Sequence, residues 1–257
     1  MMVNNEIGVI QPIKEISKLT KEKGIILHSD IAQAMGRRVI DLEDLGLDAV
    51  SISGHKFYGP KGIGLLIIND YIKKLVKPLI IGGGQQDNFR SGTLPTPLCV
   101  GLARAVDLFQ QEYFLTRLHH SHYLFSDILL SGIREIKGFK LNGIEPSEDF
   151  YKTQRIATNL NFSFAGYEAF SLLNNISSIQ LSTGSACSAG EFDYSHVLRG
   201  LNLADEKLRG SFRVSQGLNS GNAMIFLRDS LLKLHQEPKN GSFQYDHNFD
   251  SSKFVKR

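Results

Sequence analysis

Residues 48–70, DAVSISGHKFYGPKGIGLLIIND, hold two short apolar runs joined by a stretch rich in glycine that contains one proline. Each run is bounded by Gly or by Asn-Asp, which marks both as strands. Upstream, QPIKEISKLTKEKG sets Pro12 where a first helical turn tolerates it. The segment repeats apolar residues at Ile13, Ile16 and Leu19 and closes on Gly24, so it reads as a helix. IILHSD follows as a strand and DLEDLG as one helical turn, and VKPLIIGGG reads as a further strand. Helices alternating with short buried strands commit this part of the chain to an α/β layer with a mainly parallel sheet.

From about Pro97 to Ile136 the pattern is helical for longer than an ordinary globular helix, so a long helix, broken or kinked, is expected between two units. Beyond it the character changes. FKLNG, IATNLNFSF, IQLST and SFRVSQG read as strands, and YEAFSLLNN, SHVLRGL and AMIFLRDSLLKL as helices, which suggests a smaller α+β domain. The expected division is part of a larger domain over 1–115, a small C-terminal domain over 116–235 and a polar, flexible tail over 236–257.

A chain of 257 residues, 42% hydrophobic, has enough apolar material for a large core. Its net charge of +3 is spread without a polybasic run, and its aromatic residues are not interleaved with Arg and Lys, so neither nucleic acid nor a membrane surface is an expected partner. The apolar runs are shorter than a membrane span, and the first residues lack the pattern of a signal peptide. Two cysteines in a chain of this length fit a reducing compartment, and the expected location is cytoplasmic.

One of those cysteines needs a chemical explanation. Cys187 lies in LSTGSACSAG, among Ser, Thr, Gly and Ala, where almost nothing bulky could bury it, whereas a free cysteine usually behaves as a small core residue. Cys99, inside LCVGLARAV, reads as such a buried structural residue. A second informative stretch is SISGHKFYGPKG, where Ser53, His55 and Lys56 follow an apolar strand, and strand C-termini of α/β sheets are where ligands bind. Ser and His donate to phosphate, and a desolvated Lys can form a Schiff base. Taken alone, the tetrapeptide SGHK also fits a surface lysine in a loop, Asp30 a helix cap, and His28 a satisfied core histidine. An acid at a strand end together with such a lysine is the pair that pyridoxal phosphate requires. His119, His120 and His122, without a matching carboxylate or cysteine cluster, read as a solvated helix face rather than a metal site.

VNNEIG, HSDIAQ, SGHKFYGPKGIG, RSGT, STGSACS and SFRVSQG occur in the order found in cysteine desulfurases of the NifS/IscS type, which this chain resembles from Val3 to about Leu234. These belong to the class V aminotransferase group of fold type I pyridoxal-phosphate enzymes. The resemblance implies removal of sulfur from L-cysteine, leaving alanine and a persulfide for iron–sulfur cluster assembly or for thiolation of tRNA or cofactors. By the same resemblance Lys56 is the Schiff-base lysine and Cys187 the persulfide carrier, with at most a transient role as an iron–sulfur ligand. Asp30 is the partner of the pyridinium nitrogen, Asn5 and Gln33 lie near the ring oxygen, and Ser53 and His55 are phosphate ligands. Thr93 corresponds to the residue that reaches the phosphate of a neighbouring subunit, which implies a homodimer. Arg213, assisted by Asn5, is the substrate-carboxylate clamp. A sulfur acceptor or iron–sulfur scaffold protein is the implied partner.

Measured against that family, the chain starts at the central VNNE motif, so about 150 residues of the usual cofactor domain, roughly one domain's worth, are expected to be absent. They include the turn that cups the phosphate and a histidine that stacks on the cofactor ring. Smaller departures are Asp87-Asn88 before RSGT and Gln216 after FRVS, where an apolar residue is usual. Two alternatives stand beside an active desulfurase. One is a truncated, inactive relative that binds partners or dimerises; the other is a class V aminotransferase with a different amino-acid substrate.

Overall fold

The computed structural model describes residues 1–176, 178–183 and 194–236. They form two units, one of Met1–Asn4 with Ile10–Arg117, the other of Asn5–Val9 with the described residues from Leu118 onward.

In the first unit α1 (Ile13–Glu22) follows Pro12 and buries Ile13 and Ser17. β1 (His28–Asp30) pairs in parallel with β2 (Ala49–Ser53), Asp30 opposite Ser51, and β2 pairs antiparallel with β3 (Gly64–Ile68). Between β1 and β2, α2 (Leu42–Leu45) is capped by the Asp41 carboxylate, which accepts from the amides of Glu43 and Asp44 at 3.0 Å each. Asn69 caps α3 (Asp70–Leu75) in the same way, accepting from Ile72 N at 2.8 Å. These caps satisfy amides that a helix start leaves without partners.

The expected strand VKPLIIGGG is corrected: residues 76–84 form no strand, and Leu79 and Ile81 are 98% and 86% exposed. Pro78 lacks a ladder donor, and Gly82–Gly84 offer no side chain to pack. The expected long helix is interrupted at Gln110–Gln111, giving α4 (Thr96–Phe109) and α5 (Glu112–Ile133).

The second unit is built on an antiparallel sheet in the order β4 (Phe139–Leu141), β5 (Asn159–Phe164), β6 (Ser211–Ser215). α6 (Ala169–Asn174), α7 (His196–Gly200) and α8 (Asp205–Arg209) lie between β5 and β6 in sequence, and α9 (Gly221–Gln236) closes the described chain. β5 is buried along its whole length. Its alternation sends Leu160, Phe162 and Phe164 into a core with Leu129, Leu130 and Ile133 of α5 and Met224, Leu227 and Leu231 of α9. Phe162 meets Phe212 edge-on at 4.6 Å between centroids. Burying each such side chain is worth about 1.5–3 kcal/mol. IQLST, read as a strand, contributes only a single bridge, Ser182 to Arg213.

The histidines of α5 do not form a solvated face. His119 and His122 are 5% and 3% exposed. Nε2 of His119 bonds the Ser147 carbonyl at 2.9 Å, and Nε2 of His122 bonds that of Gly217 at 3.0 Å. His120 alone is exposed, beside Glu148. No group of potential metal ligands occurs among the described residues, and no helix there is long and apolar enough to cross a membrane. Cys99, expected to be buried, is only half-buried on α4.

Candidate active site

The parallel pairing of β1 and β2 brings their C-terminal ends to one edge of the first unit's sheet. Asp30 ends β1 with its carboxylate exposed, Oδ1 accepting from Ala32 N at 2.8 Å. Gln33 follows, half-buried, in the turn beyond. At the end of β2 the chain makes a tight 3-10 turn over Gly54–Phe57, with Phe57 buried beneath it and His55 and Lys56 exposed above. Gly54 is needed there: a Cβ would lie 3.0 Å from the Ile63 carbonyl and 3.1 Å from that of Pro60. The Ser53 hydroxyl does not cap the turn. His28, read as a possible core histidine, is exposed.

Arg37 ties the two loops of this edge together. Its Nη1 donates to the carbonyls of Gln33 and Lys56, each at 3.3 Å, and burial pushes its pKa below the ordinary arginine value. Gly36, at φ +76°, lets this segment approach the 3-10 turn, since a Cβ there would stand 2.9 Å from Cβ of Phe57. Thr93 lies exposed just ahead of α4, after Gly92, whose amide donates to Gln85 Oε1 at 2.9 Å.

Asn5 and Arg213 come together in the second unit. Nη1 of Arg213 donates to the Asn5 carbonyl at 2.9 Å, and that oxygen also accepts from Asn159 Nδ2 at 2.9 Å. Burial lowers the Arg213 pKa, and the charge of the neighbouring Glu6 opposes that shift. On the side of β6 away from β5, Arg213 is backbone-paired with Ser182, its amide donating at 2.6 Å and its carbonyl accepting at 3.3 Å. Cys187 lies outside the described residues.

Thus Asp30, Gln33, Ser53, His55 and Lys56 share one sheet edge, and Asn5 and Arg213 share another site. Sequence reasoning missed Arg37, Glu6, Asn159 and Asn161. The polar alternation of NLNFSF was the one signal that could have found the two asparagines.

Residues 1–222 match the aminotransferase class-V family. The cysteine desulfurase IscS of Rickettsia massiliae (strain Mtu5) is 44% identical over 217 residues, 84% of this chain and 51% of that protein. Among solved structures, a NifS-like protein from Rickettsia africae ESF-5 superposes with a TM-score of 0.78 at 26% identity, over 92% of this chain and 61% of that one. DndA from Streptomyces lividans gives a TM-score of 0.63 at 35% identity, over 84% and 59% respectively. The chain spans about half the length of the curated relatives it matches. With matching motifs, a matching backbone and the family match running through most of its length, the chain belongs to the class-V aminotransferase family and has the α/β architecture of fold type I.

Proposed function

We propose that the chain carries the chemistry of a cysteine desulfurase, taking sulfur from L-cysteine and leaving L-alanine. The observation that carries this reading is the pairing of Ser182 with Arg213. Cys187 is five residues beyond Ser182 in sequence, so chain length alone keeps its Cα within about 18 Å of Ser182, a span from which a thiol could serve a substrate held by the Arg213 guanidinium. An aminotransferase has no use for a thiol on that tether.

Pyridoxal phosphate fits the donor set at the β1–β2 edge. Lys56 and Asp30 are exposed there, and the Lys56 amine has no partner among the described residues. Ser53 and His55 supply phosphate donors beside them. When bound, the cofactor draws electron density from the bonds at the substrate Cα. Asp30 would hold the ring nitrogen in its charged form, and Gln33 and Asn5 are the residues that would orient the ring oxygen. Lys56 takes the Cα proton and returns it to the product. Arg213 binds the substrate carboxylate with a planar fork. The Cys187 thiolate attacks the substrate sulfur: an S–S bond forms, the Cβ–S bond breaks with its electron pair left on carbon, and that carbon takes up a proton as alanine is made. Thr93 reaches the phosphate of a second copy, so the active form is a homodimer, and a scaffold or carrier protein accepts the sulfur.

The test is Cys187→Ser in the full chain supplied with pyridoxal phosphate. The variant keeps the absorbance change on adding L-cysteine and transfers no sulfur, and borohydride reduction followed by peptide mapping finds the pyridoxyl group on Lys56. Undiminished sulfur transfer, or labelling at Lys61 instead, overturns the reading.

A further inference from the structure

The face of β5 turned away from the hydrophobic core is buried and polar. Asn159, Asn161 and Ser163 alternate along it, and Asn142, just past β4, joins them. Polar groups removed from water destabilise the fold unless they are bonded; Ser163 Oγ and the Oδ1 atoms of Asn142 and Asn159 have no partner among the described residues, but the side-chain amide donors form an ordered chain. Asn142 Nδ2 donates to Asn161 Oδ1 at 2.8 Å and to Ser211 Oγ at 3.1 Å. Ser211 Oγ in turn donates to the Lys207 carbonyl at 2.6 Å. Held in this way, Asn161 Nδ2 donates to the Glu6 carbonyl at 3.3 Å. Asn159 Nδ2 donates to the Asn5 carbonyl at 2.9 Å. Two consecutive carbonyls of the N-terminal segment are therefore held by two side chains of one strand, two residues apart.

Arg213 enters the same arrangement. It is the direct cross-strand partner of Asn161, and its Nη1 shares the Asn5 carbonyl with Asn159. Its Nε is buried without a hydrogen-bond partner. Resting on the reading of Arg213 as the carboxylate clamp, we propose that Asn159 and Asn161 are positioning residues for it. They fix the main chain at Asn5–Glu6, the shared carbonyl then fixes one N–H of Nη1, and the other N–H of Nη1 is presented with Nη2 to a carboxylate in a single orientation. A planar fork aimed in advance binds a carboxylate without first losing rotational freedom.

The experiment uses the full chain labelled with 13C,15N-arginine. In the wild type, rotation about the Nε–Cζ bond of Arg213 is slow, so Nη1 and Nη2 give separate resonances. Asn159→Leu, similar in size but without the donor, merges them, and Asn159→Ser, which keeps a donor, restores part of the separation. In parallel, L-alanine serves as an unreactive carboxylate probe in calorimetry, and Asn159→Leu weakens its binding about tenfold. Separate resonances with unchanged affinity in Asn159→Leu overturn the proposal. So do merged resonances in the wild type, which need no variant and decide the matter even if Asn159→Leu does not fold. If the resonances behave as expected but Arg213→Lys binds L-alanine as the wild type does, the clamp reading falls and the positioning role stands.

Discussion

Replacing Gly8 with alanine tests how closely the Asn5–Val9 segment is fitted to the second unit. Gly8 has φ +72°, and an added Cβ would stand 3.2 Å from the Asn159 carbonyl oxygen and 3.3 Å from both Arg155 Cγ and Asn159 Cβ. The left-handed backbone alone costs a non-glycine residue about 1–2 kcal/mol, and crowding of a well-packed site adds about 1–3 kcal/mol, so Gly8→Ala should destabilise by about 3 kcal/mol. Gly166 of the same unit is the matched control. It sits at φ +81° with nothing within 4 Å of its added Cβ, so it carries only the backbone cost. The restriction of the unfolded chain is the same for both and cancels. The assay is native-state hydrogen exchange at the β5 amides, which open with the unit. Exchange should quicken more than a hundredfold for Gly8→Ala and about five- to thirtyfold for Gly166→Ala, at ~1.4 kcal/mol per tenfold. Equal acceleration in the two variants would refute the packing argument, because the contact term would then be absent.

Two further outcomes follow. The Asp149 carboxyl is held below its usual range chiefly by the hydrogen bond it accepts from the Lys152 amide, with a second from that of Tyr151. A depressed carboxyl stabilises the fold above its ordinary value and loses that contribution as pH falls through the depressed one. The gap in thermal midpoint between wild type and Asp149→Asn should therefore close on acidification, and a gap that widens in acid would contradict the assignment. Separately, Leu65, Leu66 and Ile67 of β3 are exposed together with Leu79 and Ile81, a combination of edge strand and apolar surface that invites association. Light scattering should rise with concentration and fall in the double variant Leu66→Lys, Leu79→Lys; scattering indifferent to those changes would place the sticky surface elsewhere.

Where strand and helix periods coincided with turn residues, the elements were legible. Pro12, Gly24, Gly54 and Asn69-Asp70 bracket α1, β2 and β3 much as local stereochemistry requires. Period alone failed in two instructive places. On α5 the buried positions Leu115, His119, His122, Ser126, Leu129 and Ile133 fall at steps of three and four, so the two histidines and the serine lie on the inward stripe. Reading histidine as a surface residue hid a face that the spacing alone would have shown. On β5 the two asparagines of NLNFSF are as buried as the apolar residues, because their side chains donate to carbonyls more than 150 positions away, at Asn5 and Glu6. No local pattern can announce a partner at that separation. The places of Asp30 at the end of β1 and Lys56 just past β2 were legible because each sits within a few residues of the strand that carries it.

The Asn5–Val9 segment also bears on how such a chain acquires its structure. It precedes the rest of the second unit in the sequence, yet its bonds are to Ile156, Asn159, Asn161 and Arg213, the last 208 positions beyond Asn5. Closing loops of that size carries an entropic cost that is met only after the intervening sheet exists, and contacts of such long range slow folding. During synthesis the strands β1, β2 and β3 can pair while most of the chain is still to come, whereas the guanidinium of Arg213 waits until β6 has emerged and its early partner is brought to it. The last step in assembling the second unit is thus the docking of the segment that lies farthest back along its sequence.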